Sequence, residues 1–254
     1  MKPLGLLLLV ISLASCRPED PQPQPKPQPN PITLECNFLP VIGLDTLVYN
    51  RYYQLSQGDS IRVTKFNVFI SNLKLLSADQ SVLVSEPESY HLIRTHQPNT
   101  QNVSWTFTNS GTYYGIRLDV GVDSARNCSG VQSGNLDPAY ASDMYWSWTT
   151  GYIFLKLEGN SPQSTGFNQM VEYHIGGFSG INKTQKTLFL MFPNPLNLTE
   201  GAVRKIKFHI DINPLFNAAE KITFNQNPSI LSIGPKAASF SKNFPYMIRL
   251  AGIQ

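Results

Sequence analysis

Apolar and polar residues alternate with period two along most of the chain from residue 32 onward. "KFNVFISNLKLL" places Phe66, Val68 and Ile70 on one face. "YYGIRLDVGVD" does the same for Tyr114, Ile116, Leu118, Val120 and Val122, with Arg117 and Asp119 opposite. "YIFLKLEG" aligns Ile153, Leu155 and Leu157, and "KTLFLMF" aligns Leu188, Leu190 and Phe192. The cleanest repeat is "KIKFHIDI", with Ile206, Phe208, Ile210 and Ile212 on one side and Lys205, Lys207, His209 and Asp211 on the other. This period marks strands with one buried face. Turn signals such as Gly58-Asp59, Asn109-Ser110-Gly111, Gly159-Asn160 and Pro193-Asn194-Pro195 separate them. Only "NPLFNAAEKI" suggests a short helix. The pattern predicts an all-β fold, an antiparallel two-sheet β-sandwich with long loops and little helix, over residues 32–254.

The chain start departs from this pattern. "MKPLGLLLLVISLASCRPED" has one charge, Lys2, before an apolar run too short to span a bilayer. Leu13-Ala14-Ser15-Cys16 resembles a bacterial lipobox, which makes residues 1–15 a lipoprotein signal peptide and Cys16 the lipidation site. Each methylene buried by such an anchor adds roughly 0.8 kcal/mol of membrane affinity. Residues 16–31 alternate Pro and Gln, and such a stretch extends as a semi-rigid stalk. Glu19-Asp20 after the anchor resembles the surface-export signal of Bacteroidota lipoproteins. The expected location is the outer membrane, on the cell surface or in the periplasm, held by lipid at Cys16.

Charged residues make up only 15% of the chain and the formal net charge is +3. That balance offers no electrostatic case for nucleic acid. Cys36 and Cys128 remain besides Cys16; in an oxidising compartment they are candidates for one disulfide, the alternative being free thiols. Nucleophile elbow, P-loop, dinucleotide fingerprint and zincin motif are all missing, so no enzyme is expected. His91, His96, His174 and His209 contain no pair at i, i+2 that would put two ligands on one strand face. The segment "DVGVDSARNCSGVQSGNLDPAYASD" gathers Asp119, Asp123, Asn127, Asp137 and Asp143. Its oxygens make calcium a candidate, although the spacing matches no compact calcium loop and the same residues make turns and caps.

The block "MYWSWTTGYIFLKLEG" carries two tryptophans, Trp146 and Trp148, whose spacing puts them on one face of a strand. Together with "GVDSARN", "LDPAYASD" and "VEYHIGGF", in this order along the chain, it resembles the MbnP family of bacterial copper-binding proteins. The resemblance implies an exported, often lipid-anchored β-sandwich. In copper-binding members a tryptophan is oxidised to kynurenine, whose aniline nitrogen joins histidines around copper, and a di-haem enzyme related to MauG is the implied partner. Carried over, the tryptophan is Trp146 or Trp148 and the histidine is His174. The chain departs from the pattern at Cys128, which follows Asn127 where relatives often carry histidine. It also lacks histidine in "ITLECNFLPVIG" and "FPYMIRLAGIQ". Cys128 or Cys36 would offer sulfur to Cu(I), unless a disulfide removes both.

The expectation is thus a lipid-anchored, non-catalytic copper-binding protein. The alternative is a surface recognition module for glycan or protein that has lost the metal.

Overall fold

A computed structural model describes residues 28–254. The expected signal peptide, Cys16 and linker residues up to 27 lie outside the described residues. Among those described, ten strands have five or more residues: β1 (Ile32–Ile42), β2 (Ser60–Leu76), β3 (Tyr90–Arg94), β4 (Asn102–Phe107), β5 (Gly111–Val120), β6 (Gly151–Asn160), β7 (Met170–Gly176), β8 (Lys186–Leu198), β9 (Val203–Asp211) and β10 (Ile248–Ile253).

They form two sheets. In the first, β1 lies between β4 and β9, and β10 closes the far edge. The second runs β8-β5-β2-β6-β7, with β3 also paired to β2. Most pairs are antiparallel, as expected. Two are parallel: β1 with β9, from Thr33↔Val203 to Val41↔Asp211, and β7 with Ser229–Ile230. A parallel pair needs a crossover, and for β1 and β9 that crossover contains every strand of the second sheet except Ser229–Ile230. Phe38 and Phe208 face each other on the inner side of this pair, stacked at 5.0 Å. They join Phe66, Leu118, Leu157 and Tyr173 in the core between the sheets. Each such side chain contributes roughly 1.5–3 kcal/mol by burial.

The alternation holds wherever the strands are regular and shifts where they bulge. Phe66, Val68 and Ile70 point inward as expected. Asn72 then adopts φ +55°, the ladder shifts, and Leu73 and Leu75 become the inward pair. On β5 the inward tyrosine is Tyr113, not Tyr114, because the pairing with β8 shifts between Met191 and Leu196. Ile153 leaves the row of Leu155 and Leu157 at another shift and joins a different cluster. The helix expected in "NPLFNAAEKI" is only a single turn, Asn213–Leu215. Two unexpected helices, Pro235–Ser241 and Phe244–Met247, bury Ala237, Phe240, Phe244 and Met247. Phe240 stacks on Tyr173 at 4.8 Å.

A third layer sets this sandwich apart. Residues 121–150 fold over the outer face of the second sheet. They bury a smaller cluster that includes Phe69, Leu92, Val122, Leu136, Met144, Tyr152 and Phe154. The short helix α1 (Ser124–Asn127) begins this cap, with Asp123 accepting from Arg126 N at its start. The Asn127 side chain donates to Val122 O and Asp123 O and accepts from Tyr152 N. Gly151 makes room for it. At φ +73°, a Cβ there would stand 2.1 Å from Asn127 Oδ1.

Gly151→Ala is expected to cost about 1–2 kcal/mol for the left-handed backbone and further energy for displacing Asn127. Gly130→Ala, at φ +74° with no atom near its would-be Cβ, carries the backbone cost alone. Thermal unfolding of both variants checks this: the Gly151 variant should melt clearly lower than the Gly130 variant.

Candidate functional site

The outer face of the second sheet carries a row of charged side chains under the edge of the cap. Lys156 of β6 is paired across to His174 of β7 on one side and to Asn67 of β2 on the other. Two residues along, Glu158 is paired to Glu172 and Lys65. Period two puts Lys156 and Glu158 on the face opposite Leu155 and Leu157. His174 Nε2 donates to Glu158 Oε1 at 2.9 Å, so Nδ1 is the nitrogen not committed to Glu158. This hydrogen bond is the main cause holding the Glu158 carboxyl below its ordinary range, with the charges of His174 and Lys156 adding to it.

The cap completes the row. Asp143 Oδ1 accepts from Arg94 Nη2 at 2.8 Å, and Oδ2 accepts from Asn67 Nδ2 at 3.0 Å and lies 3.7 Å from Lys65 Nζ. Burial alone would raise the Asp143 carboxyl, but Arg94, Lys65 and Lys156 outweigh it and hold the carboxyl low. Lys156 is 10% exposed by side chain, with Nζ 4.0 Å from Glu158 Oε1. Burial is the largest influence on it and lowers its proton affinity despite the carboxylates nearby.

The two tryptophans separate. The strand containing them is short, Tyr145–Ser147, so Trp148 falls in the turn beyond it. Trp148 is 58% exposed and makes an edge contact with Tyr145 at 5.7 Å. The expected shared face is therefore lost. Trp146 packs against the cap cluster, and its ring lies on Gly176, where a Cβ would come within 2.7 Å of Cζ3. Gly176 and His174 are two apart on β7 and share its outer face, about 7 Å apart along the strand. The structure thus brings Trp146 and His174 onto one patch and leaves Trp148 out.

The other candidates are dispersed. His91 pairs with Glu86, and His96 packs edge-on to Tyr49. His209 lies on β9 in the other sheet, with Nδ1 buried and unpartnered; burial, then Arg249, lowers its proton affinity. Of the two alternatives for Cys36 and Cys128, a disulfide or free thiols, the structure has the second: both thiols are free, Cys36 buried and Cys128 exposed at the end of α1. Cys36 faces the core between the sheets and Cys128 belongs to the cap, so the second sheet stands between them. Burial also pushes the Cys36 thiol well up.

The oxygens named for calcium serve other bonds. Asp119 accepts from Thr187, Gln185 and Asn72, Asp123 from Tyr90 and Arg126 N, Asp137 from Ala139 N, and Asp143 from Arg94 and Asn67. No three metal-ligating His, Cys, Asp or Glu side chains group together among the described residues. The sequence did carry a signal for Lys156 and Glu158, as outward charges of "YIFLKLEG". It gave none that the cap would cover them.

The family model for MbnP matches residues 31–232. The chain belongs to the MbnP family. A solved structure, MbnP from Methylosinus trichosporium, superposes with a TM-score of 0.55 at 12% identity, covering 76% of this chain and 80% of that one. At that identity the likeness is one of fold. No curated protein matches the chain. In this MbnP-family member the family's double-layered sandwich carries the cap, the Trp146–Gly176 contact and the His174–Glu158 pair.

Asp143 and Glu158 both have lowered proton affinity in the fold. Their contribution to stability is complete above the ordinary carboxylate range near pH 4 and is lost as pH falls through their depressed values. Asp143→Asn should cost about 1–3 kcal/mol at neutral pH, because Arg94 keeps its buried place without a counter-charge. The variant should also show a shallower loss of stability in acid. Chemical denaturation at pH 7 and pH 3 measures both effects; equal pH dependence in the two proteins would refute the assignment.

Proposed function

We propose that this MbnP-family protein is an exported, lipid-anchored and non-catalytic copper-handling protein, with Trp146 and His174 as its candidate donor pair. One observation carries the reading: the Trp146 ring lies on Gly176, on the strand face that also holds His174. The Cys16 lipobox and the Pro/Gln stalk support tethering at the outer membrane, and family membership supports the link to copper. The unmodified side chains do not complete a copper site. They supply one imidazole and one carboxylate, Glu158, with Lys156 and Lys65 as neighbouring cations. Copper takes several nitrogen or sulfur donors. Oxidation of Trp146 to kynurenine by a di-haem partner would add an aniline nitrogen. In either state, Glu158 orients the His174 ring and fixes which nitrogen it presents. Cys128, exposed on the cap, stands apart from this pair.

The recognition reading, in which the protein binds glycan or protein without metal, is favoured by the same two lysines, which repel a bound cation.

Intact mass and metal content of protein purified from its native host test the copper reading. Kynurenine formation shows as a net gain of one oxygen and loss of one carbon, mapped to the peptide with Trp146. Trp146→Phe should abolish both the mass change and copper retention, whereas Trp148→Phe should leave them intact. Unmodified tryptophans with no copper retained after incubation with Cu(I) and Cu(II) would overturn the proposal.

A further inference from the structure

The cap and the turn before β3 enclose a cavity of about 400 Å3, lined by Glu88, Tyr90, His91, Arg126, Gln132 and Asn135 among others. This size suits a small polar molecule. A second hollow of about 230 Å3 adjoins it, sharing His91 and Asn135 and continuing past Asn99, Thr100 and Asn102. Amides and hydroxyls dominate the walls, so the groove suits a ligand rich in hydroxyl groups rather than an apolar one. Arg126 supplies the one strong anion-binding group. Its guanidinium lies over the Tyr90 ring, 5.5 Å from the centroid, and Nη1 reaches toward Gln132 Oε1 at 3.4 Å. A stacked guanidinium presents its donor fork in a fixed plane, the geometry that receives a carboxylate.

That fork is held by Glu88 of the same chain. The side chain of Glu88 is 76% exposed, so the pair contributes little to stability. Its backbone stands at φ +47°, a left-handed conformation that is unfavourable for a non-glycine residue. A weakly held carboxylate on a strained turn, at the mouth of a polar cavity, is an easily displaced stand-in for an external one. We infer that the cavity binds a carboxylate-bearing sugar, a uronic acid unit of an acidic glycan. The sugar's carboxylate replaces Glu88 on Arg126, beside the Gln132 amide that Arg126 already contacts. Its hydroxyls bond to the Ser133 hydroxyl and donate to Oδ1 of Asn135, whose Nδ2 is held by Tyr90 O. None of these residues belongs to the copper reading, and either proposal stands if the other fails.

Calorimetric titration with trigalacturonate, with neutral maltotriose as control, tests the site. Side-chain amide shifts of Gln132 and Asn135 in NMR spectra report its location. The wild-type protein should bind the acidic trimer and not maltotriose. Glu88→Gln frees Arg126 and should tighten binding several-fold. Arg126→Gln should weaken it by about tenfold or more, given the strength of charge-assisted bonds. Asn135→Ala, which leaves Arg126 in place, should weaken it as well. Absence of binding in both the wild type and the Glu88 variant would overturn the proposal. So would equal binding of maltotriose, or an Arg126 variant that folds normally and binds unchanged.

Discussion

One side-chain amide sets the geometry of the functional layer. Asn127 closes the last turn of α1 by donating to Val122 O and Asp123 O, and its oxygen receives Tyr152 N at the start of β6. A buried amide that uses both ends in this way is costly to disturb, since any lost partner leaves a desolvated group unpaired. It ties the beginning of the cap to the strand that leaves its end. The chain between, residues 128–150, is a long loop made into a closed one, and its ends stay together only while Gly151 keeps its left-handed backbone. Within that closure Asp143 is drawn onto Arg94 and Trp146 onto Gly176. The alignment of Trp146 with the His174 face follows from this anchoring more than from any direct bond between the two side chains.

The sandwich was legible in the sequence because each strand has one face toward the core and one toward solvent, and period two records that difference directly. Ile206, Phe208 and Ile210 read correctly for this reason. Period two breaks where a bulge changes parity, as at Asn72 and between Tyr113 and Gly115, and the misassigned Tyr114 falls at the second of these, since one inserted residue exchanges the faces. The C-terminal helices were within reach: Ala237, Phe240, Phe244 and Met247 follow helical spacing, but Pro, Ser and Lys between them read as loop. The cap was not legible. The apolar sheet residues it covers, Phe69, Leu92, Tyr152 and Phe154, are spread over three strands with polar neighbours such as Lys156 and Glu158, so no single strand carries a stripe that announces the contact. Two tryptophans at i, i+2 imply a shared face only if the strand runs through both, and the turn at Trp148 ends it one residue early.

The charged row beneath the cap shows why a histidine within a matching block is not by itself a metal site. His174 is oriented by Glu158, which is the usual support for a ligand imidazole. The same row also holds Lys156 and Lys65, which already compensate the carboxylates. A cation entering here gains less from Glu158 and Asp143 than from unpaired carboxylates and meets two ammonium groups. Oxidising Trp146 would change the donor set without changing this charge balance. Under the proposed copper reading, affinity would therefore rest on nitrogen donors and their geometry, not on electrostatic attraction.

The three sequence blocks that carry the family resemblance share a structural role that involves no metal. "GVDSARN" supplies Asp123, which receives Tyr90 and starts α1, and Asn127, which receives Tyr152 N. "LDPAYASDMYWSWTTGY" supplies Asp143 for Arg94, Trp146 for Gly176, and Gly151 for Asn127. "VEYHIGGF" supplies the strand face on which Trp146 rests. Each block is one side of a contact that fastens the cap to the sheet, and removing any of them loosens a layer that shares one small core. Fold membership and metal binding are thus separable demands on the same residues. A chain without histidine in its first and last strands, such as this one, still needs the three blocks to keep its third layer in place.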